Sequence, residues 1–507
     1  MTYSGFVRAT CATGVVALIS QTCYGQVIDS TWIDDTSGIW EDAARWSTPE
    51  FPSARGPDRY RAIIDFDSGG LYTISVSQAI DLDSLVFTSS DATIDGGGSG
   101  TIVVRSELEF GDGTARAVAE LMSEGTLLFT GDLIAEIDDT PLCHVGSIAR
   151  KTGTGDVSLT GSSIIEFSSG TTFTIENSGD FVGDSTARLI NNGIFTKDSP
   201  GLTLIEDIAF ENNGTVVVQQ GALEVTDPVL PALGVLGPAT YEIEAGAVLD
   251  FSGTTLSTNQ ADVFFNGPDA SFSQLSGVDL NEGLVLAAGG ASVPFSGAGA
   301  FNNEGDLAAL GPGSIISTVG SVVNTSSGAL TVDGGGRIVT GGVGVVNEGL
   351  AQGVGTIVAQ TFMNNGVVSP GSSPGILVTE SASGANHVFE QTGSGTLLIE
   401  IEGRTAGLTH DVLEVRGIAL FNGSLQLDFA PFSGEPPIQT GDQFQIILAD
   451  GIDGVFTDID VNGLGAAGSV DVFLNPNGVL VVVTQIPSPG ALAVMGLGGL
   501  ATMRRRR

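Results

Sequence analysis

The sequence predicts an all-β chain wound as a parallel β-helix, or β-solenoid, and three observations predict it. Glycine supplies 73 of 507 residues, charged residues are only 15 %, and hydrophobic residues reach 42 %, too many for disorder. Ser, Thr, Asn, Val, Ile and Leu surround these glycines and helix formers are scarce, which marks short strands joined by tight turns. Asn and Gly also recur together at a near-constant step. The series runs Asn192-Gly193, Asn213-Gly214, Asn281-Glu282-Gly283, Asn303-Glu304-Gly305, Asn324 with Gly328, Asn347-Glu348-Gly349 and Asn364-Asn365-Gly366. Glycines 193 and 214 are 21 residues apart; 283, 305, 328 and 349 are spaced by 22, 23 and 21; Gly366 follows after 17. A unit of about 20–25 residues holds two or three short strands and cannot bury a core alone, so neighbours must stack.

The Asn-Gly step has a physical reading. A coil turns at the same place each time, and Gly or Asn tolerates the left-handed backbone such a corner can need. Asn side chains aligned on successive coils form hydrogen-bonded ladders. The competing arrangement is a string of hairpins in a sandwich, because Asn-Gly is also the preferred hairpin turn. The regular step favours the solenoid.

Taken in order, residues 1–25 read as a signal peptide. Arg8 precedes the apolar stretch from Ala12 to Ile19, and small residues lead to a cleavage site near Gly25-Gln26. Cys23 offers a lipoprotein alternative, although Ser20-Gln21-Thr22 is a poor lipobox. Residues 26–67 hold all three tryptophans, Trp32, Trp40 and Trp46, with Pro49, Pro52 and Pro57. The first coil of a solenoid has an open edge that invites pairing with other chains, and bulky aromatics suit a cap over it. A sugar-stacking platform is the functional alternative. Residues 68–375 carry the repeats. Residues 376–484 alternate over Leu397 to Ile401 and Leu425 to Phe429, as half-buried strands do, and form a flatter, β-sandwich-like end.

The tail, 485–507, has three parts. Pro487-Ser488-Pro489 stops any strand; Gly490 to Met503 is apolar; Arg504, Arg505, Arg506 and Arg507 end the chain. As a helix the apolar part spans roughly 21 Å, short of a hydrocarbon core of about 30 Å. Cations held on the cytoplasmic side make it a sorting tag sooner than a permanent anchor. This tail resembles the PEP-CTERM sorting signal of Gram-negative, exopolysaccharide-producing bacteria, with Ser488 where that motif has Glu. The resemblance implies a membrane protease that removes the tail. The pattern Trp32…Gly38-Ile39-Trp40…Trp46…Pro52…Tyr60-Arg61-Ala62-Ile63-Ile64 resembles the opening segment of autotransporter-like β-helix proteins. Over about 350–484, Gly353-Val354-Gly355-Thr356-Ile357, Ser369-Pro370-Gly371-Ser372-Ser373-Pro374-Gly375, His410-Asp411-Val412-Leu413 and Leu420-Phe421-Asn422-Gly423 are similar, in kept order, to the C-terminal part of such passengers.

Charge bounds the partners. The chain carries −40; without signal and tail it keeps 13 of its 18 basic residues against 58 acidic ones, about −45. Phosphate repulsion excludes nucleic acid, whereas divalent cations are admitted. Only Cys143 would remain, so no internal disulfide can form.

Catalytic motifs are thin. The three histidines, His144, His387 and His410, have no metal-ligand spacing. His410 and Asp411 are adjacent, so on a strand they point to opposite faces and make no dyad. Asp95-Gly96-Gly97-Gly98 lacks the helix and lysine of a phosphate loop. Asp458-Ile459-Asp460-Val461-Asn462-Gly463 matches the first half of a calcium loop, making Asp458, Asp460 and Asn462 the candidate metal ligands; Ser469 stands where the loop needs Glu. A polysaccharide lyase needs carboxylates beside an Arg or Lys base, and between Gly193 and Gly366 only Lys197 and Arg337 are basic. The expectation is a non-enzymatic, exported structural or adhesive protein of the cell surface, partnered by a processing protease and by extracellular polysaccharide, with calcium as the one conceivable cofactor. The alternative is a polysaccharide-binding or polysaccharide-degrading β-helix.

Overall fold

Period-two alternation of apolar and polar residues dictates the local structure. In Arg59–Ile64 the side chains of Tyr60, Ala62 and Ile64 are buried while Arg59, Arg61 and Ile63 face outward. The same pattern recurs in Thr126–Phe129, Ile164–Phe167 and Thr396–Ile401. The computed structural model describes residues 26–54, 58–341, 344–371, 374–384, 386–430, 436–465 and 468–486. Among them the helices are two short 3-10 turns, Ala43–Arg45 and Ser273–Gly277; the regular structure is otherwise strand. The pairing is that of a parallel β-solenoid with about 14 turns. The chain divides into two compact units. One comprises residues up to Thr255 with Ser271–Gln274, the other Leu256–Ala270 with the residues from Leu275 on.

Each coil of the first unit lays strands on three faces. One face stacks Val27–Thr31 on Arg59–Ile64 and continues through Thr126–Phe129, Ile148–Lys151 and Thr172–Ile175, all parallel. A second stacks Tyr72–Ser75, Ala92–Asp95 and Thr114–Arg116. The third stacks Glu120–Ser123, Pro141–His144, Ile164–Phe167, Arg188–Asn191 and Ala209–Asn212. Strict register turns the inward side chains into columns. Phe87, Phe110 and Phe129 are register partners with ring centroids 5.2 and 6.1 Å apart. Burial of each ring contributes roughly 1.5–3 kcal/mol.

The tryptophans close the start of this unit. Trp32, Trp40 and Trp46 are 1, 0 and 3 % exposed. Trp46 packs on Trp32 at 5.2 Å and on Trp40 at 4.8 Å. Trp40 Nε1 donates to Pro52 O and Trp46 Nε1 to Trp40 O. Ser47 covers the free edge of the first strand: its N–H donates to Thr31 O, and Thr31 N–H donates to Ser47 Oγ. Rings this deeply buried offer no face to a saccharide, so the cap holds and the sugar platform does not.

The second unit repeats the three faces. One stacks Asp262–Asn266, Leu284–Ala288, Asp306–Leu310 and Ala329–Asp333. Another stacks Ser292–Phe295, Ile315–Thr318 and Arg337–Thr340. The third carries Leu280–Asn281, Phe301–Asn303, Val322–Asn324, Gly344–Asn347 and Thr361–Asn364. Parallel pairing begins at Val27 and reaches Asp458–Asn462, so the winding extends on both sides of 68–375. At the C-terminal end the mode changes. Gln443–Gly454 pairs antiparallel with Gly478–Gln485, which pairs antiparallel with Ser469–Asn475.

Candidate functional site

A row of amide side chains runs through the interior of this chain. In the second unit Asn259, Asn281, Asn303, Asn324, Asn347 and Asn364 are register partners on successive coils and all are 0 % exposed. Each Nδ2 donates to Oδ1 of the next Asn, at 2.8, 2.8, 2.8, 2.7 and 2.9 Å in chain order. Asn364 hands on to Gln391 at 3.4 Å, and Gln391 ends the seam on the carbonyls of Asn422 and Ser424. The same Nδ2 groups also reach the carbonyl two residues on, as from Asn281 to Gly283 O and from Asn303 to Gly305 O. From Asn259 to Asn347 each rung therefore holds its own corner and locks it to the next coil.

The glycines of the series are needed for a different reason from the one expected. None of 193, 214, 283, 305, 328, 349 and 366 has a positive φ. A Cβ at Gly305 would stand 2.1 Å from Gly283 O, at Gly283 2.2 Å from Ala261 O, and at Gly349 2.2 Å from Gly328 O. The corner is glycine because the preceding coil's carbonyl lies against it. In the first unit the seam residue also shifts by one. Asn191 and Asn212, not Asn192 and Asn213, are the register pair, bonded at 2.8 Å. Asn192 bonds Glu166 and Asn213 bonds Asn192 on the outer side. The working pattern is Asn-x-Gly with the first Asn buried. Asn324 departs from it with its glycine four residues on, at Gly328, Asn259 because Ala261 replaces the glycine, and Gln391 because it is not Asn.

The histidines are core residues, at 0, 0 and 2 % exposed for His144, His387 and His410. His144 Nδ1 lies 3.1 Å from Ser123 Oγ, while His387 Nδ1–H donates to Ala359 O and His410 Nδ1–H to Gly403 O. All three Nε2 atoms are buried without a partner. Asp411 does not meet His410: its two oxygens accept the N–H groups of Gly375 and Glu400, each at 2.8 Å. Burial pushes the Asp411 carboxyl up to about 7, against those two N–H bonds.

Burial holds His144 down, to about 4, and lowers His387 and His410 as well. The native histidines then stay neutral while the unfolded chain takes up protons below about 6.5. The His144 contribution to stability is complete above that value and is lost as pH falls towards about 4, and His387 and His410 act in the same direction. Asp411 acts oppositely: its contribution is present at low pH and lost as pH rises through about 7. His144→Asn places a seam amide in the same column and removes one titration. Its unfolding free energy should fall less between pH 6.5 and 4 than that of the wild type, by up to about 3 kcal/mol. Urea unfolding at both pH values measures this, and equal falls in both proteins contradict it.

The calcium-loop candidates lie elsewhere. Asp458, Asp460 and Asn462 stand in line along the strand Asp458–Asn462, in register with Ser424, Gln426 and Asp428, rather than around a loop. Asn462 Nδ2 donates to Asp428 Oδ1 at 2.7 Å. Among the described residues no three His, Cys, Asp or Glu side chains are grouped to hold a metal ion. The sorting residues Pro487, Ser488, Pro489 and Arg504 to Arg507, and the signal peptide, lie outside the described residues. Among those described, no helix is long and apolar enough to cross a membrane. The chain matches no protein-family model and no curated protein.

Proposed function

We propose that this chain is an exported structural or adhesive β-solenoid of a Gram-negative-type cell surface, associated with extracellular polysaccharide. The observation that carries the reading is where the reactive side chains sit. All three histidines and both lysines are buried at 2 % exposure or less, so none of them faces a ligand. What faces outward is rich in carboxylates, 58 acidic residues against 18 basic ones in the sequence, on coils stacked in register, which suits solubility in a matrix. The degradative alternative fares worse: of its two candidate bases, Lys197 is inside, and Arg337 pairs with Glu380 at 2.9 Å.

Export and sorting rest on the two termini. The apolar stretch before four arginines is short for a lasting span. Fractionation of the producing cell, with mass spectrometry of both ends of the mature protein, tests this part. The expected ends lie near Gln26 and near Pro487–Pro489, in the envelope or matrix fraction. A cytosolic protein that retains Met1 and Arg507 contradicts it.

A further inference from the structure

The only two lysines of the sequence occupy core positions. Lys151 is the register partner of Phe129 on the coil before and of Ile175 on the coil after, and Ile175 is the partner of Lys197. Their ammonium ends meet different chemistry. Lys197 Nζ donates to the carbonyl and the hydroxyl of Ser199. Lys151 Nζ donates to Gly155 O at 2.6 Å, to Gly153 O at 3.2 Å and to the carboxamide oxygen of Asn177 at 3.1 Å.

Asn177 follows Thr172–Ile175, the strand stacked on Ile148–Lys151. Its amide is fixed at both ends. Nδ2 donates to Gly153 O, and Oδ1 accepts the N–H of Gly179 at 3.1 Å besides Nζ. Gly179 crowds the amine, since a Cβ there would stand 2.2 Å from Nζ. A buried amine and a half-buried carboxamide are thus held together, with a backbone N–H aimed at the oxygen that would take up negative charge.

We propose that Lys151 and Asn177 are joined in the folded chain by an isopeptide bond. The lone pair of neutral Nζ adds to Cγ of Asn177, and Oδ1 takes the negative charge under the Gly179 N–H. The Cγ–Nδ2 bond then breaks, and Nδ2 leaves as ammonia with a proton given up by Nζ. One C–N bond forms, one breaks, and nothing is oxidised or reduced. Burial supplies the neutral amine by lowering Lys151 to about 8, although Asp156 and Asp180 favour its charge. The bond ties two successive coils together, in a chain with one cysteine, Cys143, between residues 26 and 486.

Tryptic mapping of the denatured wild-type protein decides the matter, because Lys151 and Asn177 fall between Arg150 and Arg188 with no other cleavage residue between them. The expected peptide is 151–188, uncut after Lys151 and lighter by one ammonia. Peptides around Lys197 should be cut and unmodified. Asn177→Ala and Lys151→Arg should restore the full mass, and Asn177→Asp should lose water instead. A full-mass 152–188 peptide overturns the proposal. So does loss of ammonia with cleavage after Lys151 retained, which is a succinimide at Asn177.

Discussion

Replacing Asn324 by alanine should lower the free energy of unfolding by about 4 kcal/mol, because several buried groups lose partners of about 1–3 kcal/mol each. Asn324 Nδ2 serves Asn347 Oδ1 at 2.7 Å, Gly328 O at 3.1 Å and Leu350 O at 3.0 Å, and its Oδ1 accepts from Asn303 at 2.8 Å. The damage should be local, since each coil of a solenoid leans only on its neighbours. Hydrogen exchange should therefore quicken first in the coils of Asn303 and Asn347. Asn302→Ala is the control. It changes the same residue type one coil earlier, next to Asn303 on the outward side of the strand Phe301–Asn303, and should shift stability by no more than about 0.5 kcal/mol. Equal urea midpoints for the two variants would remove the seam as a source of stability.

Gly305→Ala should cost about 3 kcal/mol or more, for a steric reason. The new methyl would lie 2.1 Å from Gly283 O, and the obstacle is backbone of the coil before, which cannot swing away as a side chain can. The coils must part, and the Asn281–Asn303 bond beside them must stretch. Gly297→Ala meets nothing within 4 Å and has no positive φ, so it should be close to neutral. Thermal or urea unfolding of both variants checks the contrast. Were Gly305→Ala as harmless as Gly297→Ala, the coils would not be stacked as closely as described.

Much of this was legible in the residues. The 21–23-residue step of Asn and Gly foretold stacked coils, and the Asn residues of 281–364 do form the ladder that alignment implies. Strand geometry puts Lys151 on the side of buried Ala149 and Lys197 on the side of buried Phe195. Their charge hides that pattern, because a buried ammonium is expensive until carbonyls are known to surround it. The role of the glycines was not legible. A positive φ and a close carbonyl both demand Gly, and only the stacking of one coil on another separates the two. The setting of Asp458-Ile459-Asp460-Val461-Asn462 was not legible for a related reason: three spaced oxygens read the same on a loop as along a strand, and the pairing with Ser424–Phe429 places them on a strand.

The most direct measurement is an experimental structure of residues 256–486 within the full chain, at a resolution that shows side chains. Asn281, Asn303, Asn324, Asn347 and Asn364 should lie in one column, with successive Cα atoms about 4.8 Å apart and parallel strands on either side. Antiparallel hairpins turning at the Asn-Gly positions, with these asparagines apart from one another and facing solvent, would contradict the account.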